Sequence, residues 1–241
     1  MRLFCFALCL TFSLLSHAEA YLAIIIDDLG NHLSRGEEAI ALEGNVSLAI
    51  IPHTPHAGAL AKLAAQHNKD VLVHMPMSSE SQSYPSKCML TPNMSRESFV
   101  ATVENNLASI PQAAGVNNHM GSELTKSYPH MRWLMQTLKS RGLYFIDSRT
   151  SAATEALQAA RDSHLVSDRR HVFLDNENDD RRINQQLDTA INTALESGFA
   201  IAIGHPRPST LRVLKKRLTA LSEEGVTLVG MSHYLALKQA R

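Results

Sequence analysis

The sequence has few cysteines and no excess of charge of either sign. Three cysteines occur in 241 residues, and Cys5 and Cys9 lie in the apolar segment at the amino terminus. If that segment is removed, only Cys88 remains, so we expect no intramolecular disulfide and no structural zinc site built from cysteines. Basic and acidic residues number 23 each. This balance gives no electrostatic argument for nucleic acid as a partner.

The one strongly apolar run lies at the amino terminus, in "MRLFCFALCLTFSLLSHAEA", residues 1–20. It has one Arg, an apolar core from Leu3 to Leu15 and a small-x-small sequence ending at Ala20, as secretory signal peptides do. The core is too short to span a bilayer comfortably. We therefore expect a signal peptide over 1–20, a single mature domain over 21–241, export to the periplasm if the source has an outer membrane, and no stable membrane insertion after cleavage.

Two common catalytic and cofactor motifs are missing. The sequence contains no Gly-x-Ser-x-Gly elbow of serine hydrolases. The first predicted strand is followed by "DDLGNH", whereas a dinucleotide site would have a glycine-rich turn there.

Short aliphatic runs alternate with amphipathic segments along the rest of the chain. Most of the runs lack polar alternation, as parallel strands covered on both faces do. The pattern predicts a single-domain β/α barrel of seven or eight parallel strands, with irregularities, and an open parallel sheet is the alternative. The predicted strands are 22–26, 46–51, 70–75, 115–120, 143–147, 172–174, 199–204 and 226–231, and the predicted helices are 55–68, 95–110, 129–142, 180–198 and 209–225.

Polar side chains stand at the carboxyl ends of these predicted strands, where ligands gather in both architectures. They are Asp27, Asp28, His74, Asn118, His119, Asp147, Asp175 and His205. Asp and His are ligand types of catalytic zinc sites that keep a position open for water. Taken singly, each has another explanation: a buried histidine is more often a hydrogen-bonded core residue, and Asp27 or Asp28 could cap the turn that follows.

Five stretches resemble the divergent polysaccharide deacetylase family. They are "AIIIDDLG", "VLVHMPM", "GVNNHMGS", "FIDSRTS" and "IAIGHPRPSTL", and they occur in the family's order across nearly the whole mature chain. The resemblance implies a β/α barrel related to metal-dependent deacetylases of acetylated polysaccharides. It implies fold and site position more firmly than substrate.

The resemblance also implies roles for individual residues. Asp27 matches the general base and Asp28 a metal ligand, while His205 matches the histidine that protonates the leaving group. His74 matches the first ligand of a His-x-x-x-His motif, but Ser78 stands where the second histidine belongs. We expect His119 to be the missing third ligand of zinc or another divalent transition metal.

Other assignments complete the predicted site. The arginine motif of ordinary deacetylases is missing, and Arg149 is a candidate to supply its guanidinium. Asp147 is expected to orient His205 or to contact substrate, and Asn118, Arg149 and Arg207 are expected to bind substrate.

The resulting hypothesis is a metal-dependent hydrolase that removes an acetyl group from an envelope or extracellular polysaccharide, with peptidoglycan as one candidate. Two alternatives remain open. The lost motifs favour a non-catalytic envelope protein that keeps the barrel to bind glycan or protein. A glycosidase would pair Asp27 or Asp28 with Asp147 or Asp175, but it leaves the strand-end histidines without a role.

Overall fold

The structure is a computed structural model that describes residues 19–81 and 88–241. Residues 1–18 of the predicted signal peptide, with Cys5 and Cys9, lie outside the described residues. Among the residues that are described, no helix combines the length and the apolar character needed to cross a bilayer.

The described residues contain one curled sheet of nine parallel strands surrounded by helices. The strand order is β6-β5-β4-β3-β2-β1-β8-β7, and β9 pairs with β1. An irregular β/α barrel, the predicted fold, is confirmed. The strands are β1 (Ala20–Leu29), β2 (Ser47–Ile50), β3 (Val71–Met77), β4 (Gly115–Met120), β5 (Tyr144–Asp147), β6 (Ser167–Arg169), β7 (Val172–Phe173), β8 (Phe199–Gly204) and β9 (Val226–Leu228).

All five predicted helices are present: four have ends within two residues of the prediction, and the helix predicted over 209–225 ends at Arg217, eight residues early. Three further helices, α1, α5 and α8, were not predicted. The predicted last strand is too long: it ends at Leu228, and Met231 begins α8. The helices are α1 (Leu33–Ile40), α2 (Ala57–Gln66), α3 (Arg96–Ala108), α4 (Tyr128–Ser140), α5 (Ala156–Asp162), α6 (Asp180–Ser197), α7 (Pro208–Arg217) and α8 (Met231–Ala240).

The short segment 167–173 brings the two edges of the sheet together. Its first part, β6, pairs with β5, and its second part, β7, pairs with β8. Between them, Arg170 N donates to Asp147 O and His171 N donates to Ile201 O. The strand β7 lies within the predicted strand 172–174, whereas β6, with polar side chains only, was not predicted. Together they place the carboxyl ends of β5 and β8 on one rim.

Each central strand buries both faces, and the two faces belong to different parts of the core. On β1, Leu22, Ile24 and Ile26 pack in the large cluster that includes residues of α1 to α7. Tyr21, Ala23 and Ile25 pack instead in a second cluster, which includes Tyr234 and Leu235 of α8. This second cluster fills the barrel interior. Asp70, just before β3, accepts hydrogen bonds from Ser232 N and Oγ, so α8 closes the barrel at the amino ends of the strands.

Candidate metal centre and active site

The candidate site lies at the carboxyl end of the barrel interior. Side chains alternate between the two faces of a strand, so a polar residue two positions after an interior residue also faces the interior. Asp27 follows the interior residue Ile25, His74 follows Leu72, and His205 follows Ile203. On β4, Val116 packs in the large cluster outside the barrel, so Asn117 and His119, one and three positions later, face the interior. Strand parity thus directs these five side chains to one place.

Asp28 reaches the same place because β1 is irregular there. In a regular strand, neighbouring residues point to opposite faces, and Asp28 would turn away from Asp27. The pairing of β1 with β2 shifts register between Ile26 and Leu29, and Asp28 has a φ of 58°. This left-handed conformation is uncommon outside glycine, although aspartate is among the residues that adopt it most readily. The irregularity is therefore what allows two consecutive carboxylates to share one site.

Three side chains offer ligand atoms for a metal ion. The ligand atoms of Asp28, His74 and His119 all lie within 4.8 Å of one another. Asp28 Oδ1 is 2.9 Å from His119 Nδ1 and 3.2 Å from His74 Nε2. This buried oxygen receives no well-directed hydrogen bond from the described residues. One carboxylate and two imidazoles around an unsatisfied oxygen fit a divalent transition metal with a position left open.

Electrostatics also favours a cation at this point. Burial alone would raise the pKa of Asp28, but the imidazoles of His119 and His74 outweigh it and hold that pKa far below its usual range. Burial would likewise lower the pKa of His74, yet the charge of Asp27 and the contact with Asp28 raise it to about 9. The two carboxylates thus hold a proton on His74 in the metal-free protein. A bound metal ion would take the place of that positive charge.

Asn117 contacts both Asp27, the general-base candidate, and His74, a metal-ligand candidate. Its Nδ2 donates to Asp27 Oδ1 at 2.7 Å, and its Oδ1 lies 2.8 Å from His74 Nδ1. Because Oδ1 can only accept, His74 carries a hydrogen on Nδ1 and directs Nε2 toward Asp28. Asn117 is fully buried and was not predicted. Strand parity could have predicted it, because Asn117 is two residues before His119 and so lies on the same face of β4.

His205 is held by Asp175. His205 Nδ1 lies 2.9 Å from Asp175 Oδ1, and the backbone N of His205 donates to Asp175 Oδ2. Thr210 Oγ1 donates to the same oxygen at 2.7 Å. His205 Nε2 then faces the site, 3.6 Å from Asp28 Oδ2. Burial would lower the pKa of His205, but the bond to Asp175 and the charge of Asp28 raise it.

The predicted orientation of His205 by Asp147 is wrong. Asp147 Oδ1 accepts from Arg149 N at 2.8 Å, and its Oδ2 accepts from Thr154 Oγ1 at 3.0 Å. The physical reason is again parity. Asp147 is two residues after Phe145, which packs in the outer cluster, so its side chain turns away from the barrel interior. Asp175 fills the orienting role, and contact of Asp147 with substrate stays a prediction.

The predicted substrate-binding residues lie in three different surroundings. Asn118 points to the opposite face from Asn117, and its amide is occupied by Ser148 N and Met120 O. Arg207 lies beside His205 and donates to Asp175 O. Arg149 lines a separate pocket next to Asp147. Their roles in binding substrate remain predictions.

Arg170 is a basic residue of the site that was not predicted. Its Nε donates to Ser148 O at 2.7 Å and its Nη2 to Arg149 O at 3.0 Å. Burial and the charge of Arg149 lower the pKa of Arg170, whereas Asp147 and Asp27 raise it. Arg170 therefore places a positive charge near the general-base candidate, the role for which Arg149 was suggested.

A cleft gives access to these residues from solvent. It has a volume of about 270 Å³ and opens next to the metal-ligand candidate and the acid candidate. Its lining residues are Asp28, Asn31, His32, Arg35, His205, Pro206 and Arg207. Another cavity, of about 600 Å³, lies at the amino ends of β4 and β5, so it cannot serve this site. Ser78, in the place of the second motif histidine, is buried, and its Oγ has no hydrogen-bond partner among the described residues.

Sequence relatives match nearly the whole chain. The protein YibQ of Escherichia coli, described as uncharacterized, is 37% identical over 214 residues, which cover 89% of this chain and 67% of YibQ. An uncharacterized protein of Haemophilus influenzae is 38% identical over 218 residues, covering 90% of this chain and 78% of that protein.

Solved structures share the fold at low sequence identity. The uncharacterized protein ATU2773 of Agrobacterium tumefaciens superposes with a TM-score of 0.86 at 20% identity, covering 90% of both chains. The catalytic domain of a peptidoglycan N-acetylglucosamine deacetylase of Eubacterium rectale gives 0.55 at 13% identity, covering 88% of this chain and 89% of that domain. BA3943 of Bacillus anthracis, a CE4 family pseudoenzyme, gives 0.57 at 15% identity, covering 91% of this chain and 66% of that protein.

A family model matches the part of the chain that contains the candidate site residues. Residues 24–235 match the model of the divergent polysaccharide deacetylase family, and this range includes Asp27, Asp28, His74, His119 and His205. The chain therefore belongs to the divergent polysaccharide deacetylase family.

Proposed function

We propose that this protein is a metal-dependent hydrolase that removes an acetyl group from a polysaccharide. The observation that carries the proposal is the convergence of three metal-ligand atoms, within 4.8 Å of one another, beside Asp27 and His205. Family membership and the fold shared with polysaccharide deacetylases support the class of reaction.

Asp28, His74 and His119 would hold the metal, and we propose zinc because one carboxylate and two imidazoles form a three-ligand set of its catalytic sites. When bound, such an ion supplies Lewis acidity toward a water molecule and the acetyl carbonyl. The tautomer of His74 suits this role, since the bond of Nδ1 to Asn117 leaves the lone pair of Nε2 for the metal.

Asp27 is the general base in this proposal. Its side chain is buried, and burial raises its pKa, which the charges of His74 and His205 partly offset. A base with a raised pKa binds a proton more readily near neutral pH. Asn117 holds Asp27 Oδ1 in place, so Oδ2 is the atom that receives the proton of the attacking water.

His205 is the general acid. The bond to Asp175 and the charge of Asp28 raise its pKa and so favour the protonated imidazole, and Asp175 fixes Nδ1 so that Nε2 carries the proton toward the site. Nε2 gives this proton to the departing amine nitrogen or alcohol oxygen of the sugar. The water thus adds to the carbonyl carbon, the bond from that carbon to the sugar nitrogen or oxygen breaks, and acetate leaves.

We further propose that the reaction takes place outside the cytoplasm. The amino-terminal segment with its small-x-small sequence supports export, and an exported hydrolase of this class meets envelope or extracellular polysaccharides.

The test combines metal content and hydrolysis. Protein purified without chelator or nickel affinity is analysed for metal by plasma mass spectrometry, and acetate release is measured on acetylated glycans, including peptidoglycan. Asp28→Ala and His119→Ala should lose the metal. Asp27→Asn and His205→Ala should keep it but lose at least about 100-fold in rate. His233→Ala, at an exposed position of α8, is the matched control and should change neither.

A second candidate is a protein that binds glycan without hydrolysing it. Ser78 in the place of the second motif histidine favours it, and BA3943, which shares this fold, is a CE4 family pseudoenzyme. Glycan binding by a protein that retains metal but releases no acetate from any substrate of the panel would support this candidate and contradict the hydrolase.

A further inference from the structure

A second polar pocket lies next to the candidate active site. It has a volume of about 370 Å³ and opens where β5 and β6 end, beside α5. Three arginines line it, together with side chains that can donate or accept hydrogen bonds. The arginines are Arg149, Arg161 and Arg169, and the polar neighbours include Thr154, Glu155 and Gln158.

The backbone around Arg149 is held in an unusual conformation that directs this residue to the pocket. Arg149 has a φ of 50°, in the left-handed region that costs an ordinary side chain roughly 1 kcal/mol or more. Asp147 Oδ1 accepts from Arg149 N, and Arg170 donates to Arg149 O and Ser148 O. Residues held in strained conformations by several contacts cluster at binding and catalytic sites.

The positive charge of the pocket is only partly compensated. Ion pairs of arginines with carboxylates in the described part of the chain involve Arg141, Arg182, Arg212 and Arg217, none of which lines the pocket. Two carboxylates of the pocket wall, Glu155 and Asp147, oppose the three guanidiniums, and the charge of Arg161 also acts on Asp162, which does not line the pocket. Burial raises the pKa of Asp147 and disfavours its charged form, while hydrogen bonds from Arg149 N and Thr154 and the charge of Arg149 offset part of this effect.

The pocket and the candidate active site are close neighbours. Asn117, which holds Asp27, also donates to Ser148 Oγ at 3.3 Å, and Ser148 precedes Arg149. Arg170 connects the two places: it donates to Ser148 O and Arg149 O, and the charges of both Asp147 and Asp27 raise its pKa. A polymer that reaches Asp27 and His205 with one sugar can reach this pocket with a neighbouring group.

We propose that the pocket formed by Arg149, Arg161 and Arg169 binds an oxyanion, a carboxylate or phosphate group, carried by the glycan. This inference rests on the proposed function for the identity of the polymer, and it makes the substrate an acidic polysaccharide. The planar guanidinium binds carboxylate and phosphate through paired hydrogen bonds, and it stays charged at any physiological pH. The chain as a whole has no net charge, so the selectivity is local.

The first experiment tests the pocket without any glycan. Inorganic phosphate is titrated into the full chain while the arginine Nε–H signals are followed by NMR, with assignments taken from Arg149→Gln, Arg161→Gln and Arg169→Gln. We expect saturable shifts of these three signals and none of Arg181, an exposed arginine of α6. Phosphate that moves no pocket signal, or that moves Arg181 equally, would overturn the proposal.

The second experiment distinguishes the two oxyanions. Binding of the disaccharide N-acetylglucosaminyl-N-acetylmuramic acid is compared with binding of its methyl ester, and N-acetylglucosamine 1-phosphate is compared with N-acetylglucosamine. The charged member of one pair should bind at least about tenfold more tightly, and the double variant Arg149→Gln/Arg169→Gln should abolish the difference.

Arg181→Gln should preserve that difference. Equal affinities within both pairs for the wild-type protein would refute an anionic substrate. Because these readouts are affinities, a protein that released no acetate would contradict the hydrolase proposal and leave the pocket result valid.

Discussion

His205 and Asp175 are joined twice, through the imidazole Nδ1 and through the backbone N of His205. The pair fixes both the rotamer and the tautomer of the histidine, because a carboxylate can only accept from Nδ1–H. The proton that His205 would deliver is therefore restricted to Nε2, which faces Asp28 at 3.6 Å.

Asp175→Asn should lower the pKa of His205. The carboxylate of Asp175 raises this pKa through a hydrogen bond and through its charge, and asparagine lacks the charge. Long-range nitrogen–proton NMR of the imidazole measures the change. With a substrate in hand, the rate should fall roughly 10- to 100-fold, part of what a general acid contributes. Asp147→Asn is the matched control and should leave the pKa of His205 unchanged; a similar fall in both variants would contradict the assignment.

Asn117→Ala should weaken metal binding by roughly 10- to 100-fold, as loss of a group that orients a metal-ligating histidine does. The variant frees the ring of His74 and leaves Asp27 Oδ1 without its donor. Competition with a chelator of known affinity measures the effect. Asn106→Ala removes another fully buried amide, one that contacts Met75 and Cys88 rather than the cluster, and should keep the affinity. Equal losses in both would indicate general destabilisation.

Metal affinity should rise with pH up to about 9. The pKa of His74 is raised to about 9 in the metal-free protein, so a metal must displace this proton at lower pH. Displacing one proton gives about a tenfold gain in apparent affinity for each pH unit below that pKa. Zinc titrations against a chelator between about pH 6 and 8 test this slope. An affinity independent of pH over that range would show that His74 carries no proton to be displaced.

Gly115→Ala should destabilise the protein by about 1–3 kcal/mol, as overpacking of a core does. A Cβ at this position would lie 2.2 Å from Cε2 of Tyr144, whose ring is buried against the strand. Urea unfolding followed by circular dichroism measures the free energy of unfolding. Gly58→Ala, in α2, meets no atom within 4 Å and should be neutral or stabilise by up to about 1 kcal/mol. Comparable losses in the two variants would contradict the packing argument.

Much of the fold is predictable because aliphatic runs and helical periodicity are local signals. All eight predicted strands overlap strands of the structure. The strand β6, "SDR", lacks an apolar run because it is short and lies where the barrel closes, so its pairing with β5 comes from tertiary contacts. The end of the last predicted strand belongs to α8, whose Met231, Tyr234 and Leu235 pack in the barrel interior.

The sequence alone determined which strands end in carboxylates and imidazoles, and therefore that Asp27, Asp28, His74, His119 and His205 share one rim. Only the tertiary structure decided which side chains face the interior. Strand parity directs Asn117, and not Asn118, to Asp27, and it turns the side chain of Asp147 away from the barrel interior. The pairing of β7 with β8 places Asp175 beside His205. The left-handed backbone of Asp28, with the register shift in β1, brought both carboxylates into one site. These features depend on pairing between strands distant in the chain, and local sequence carries no record of that pairing.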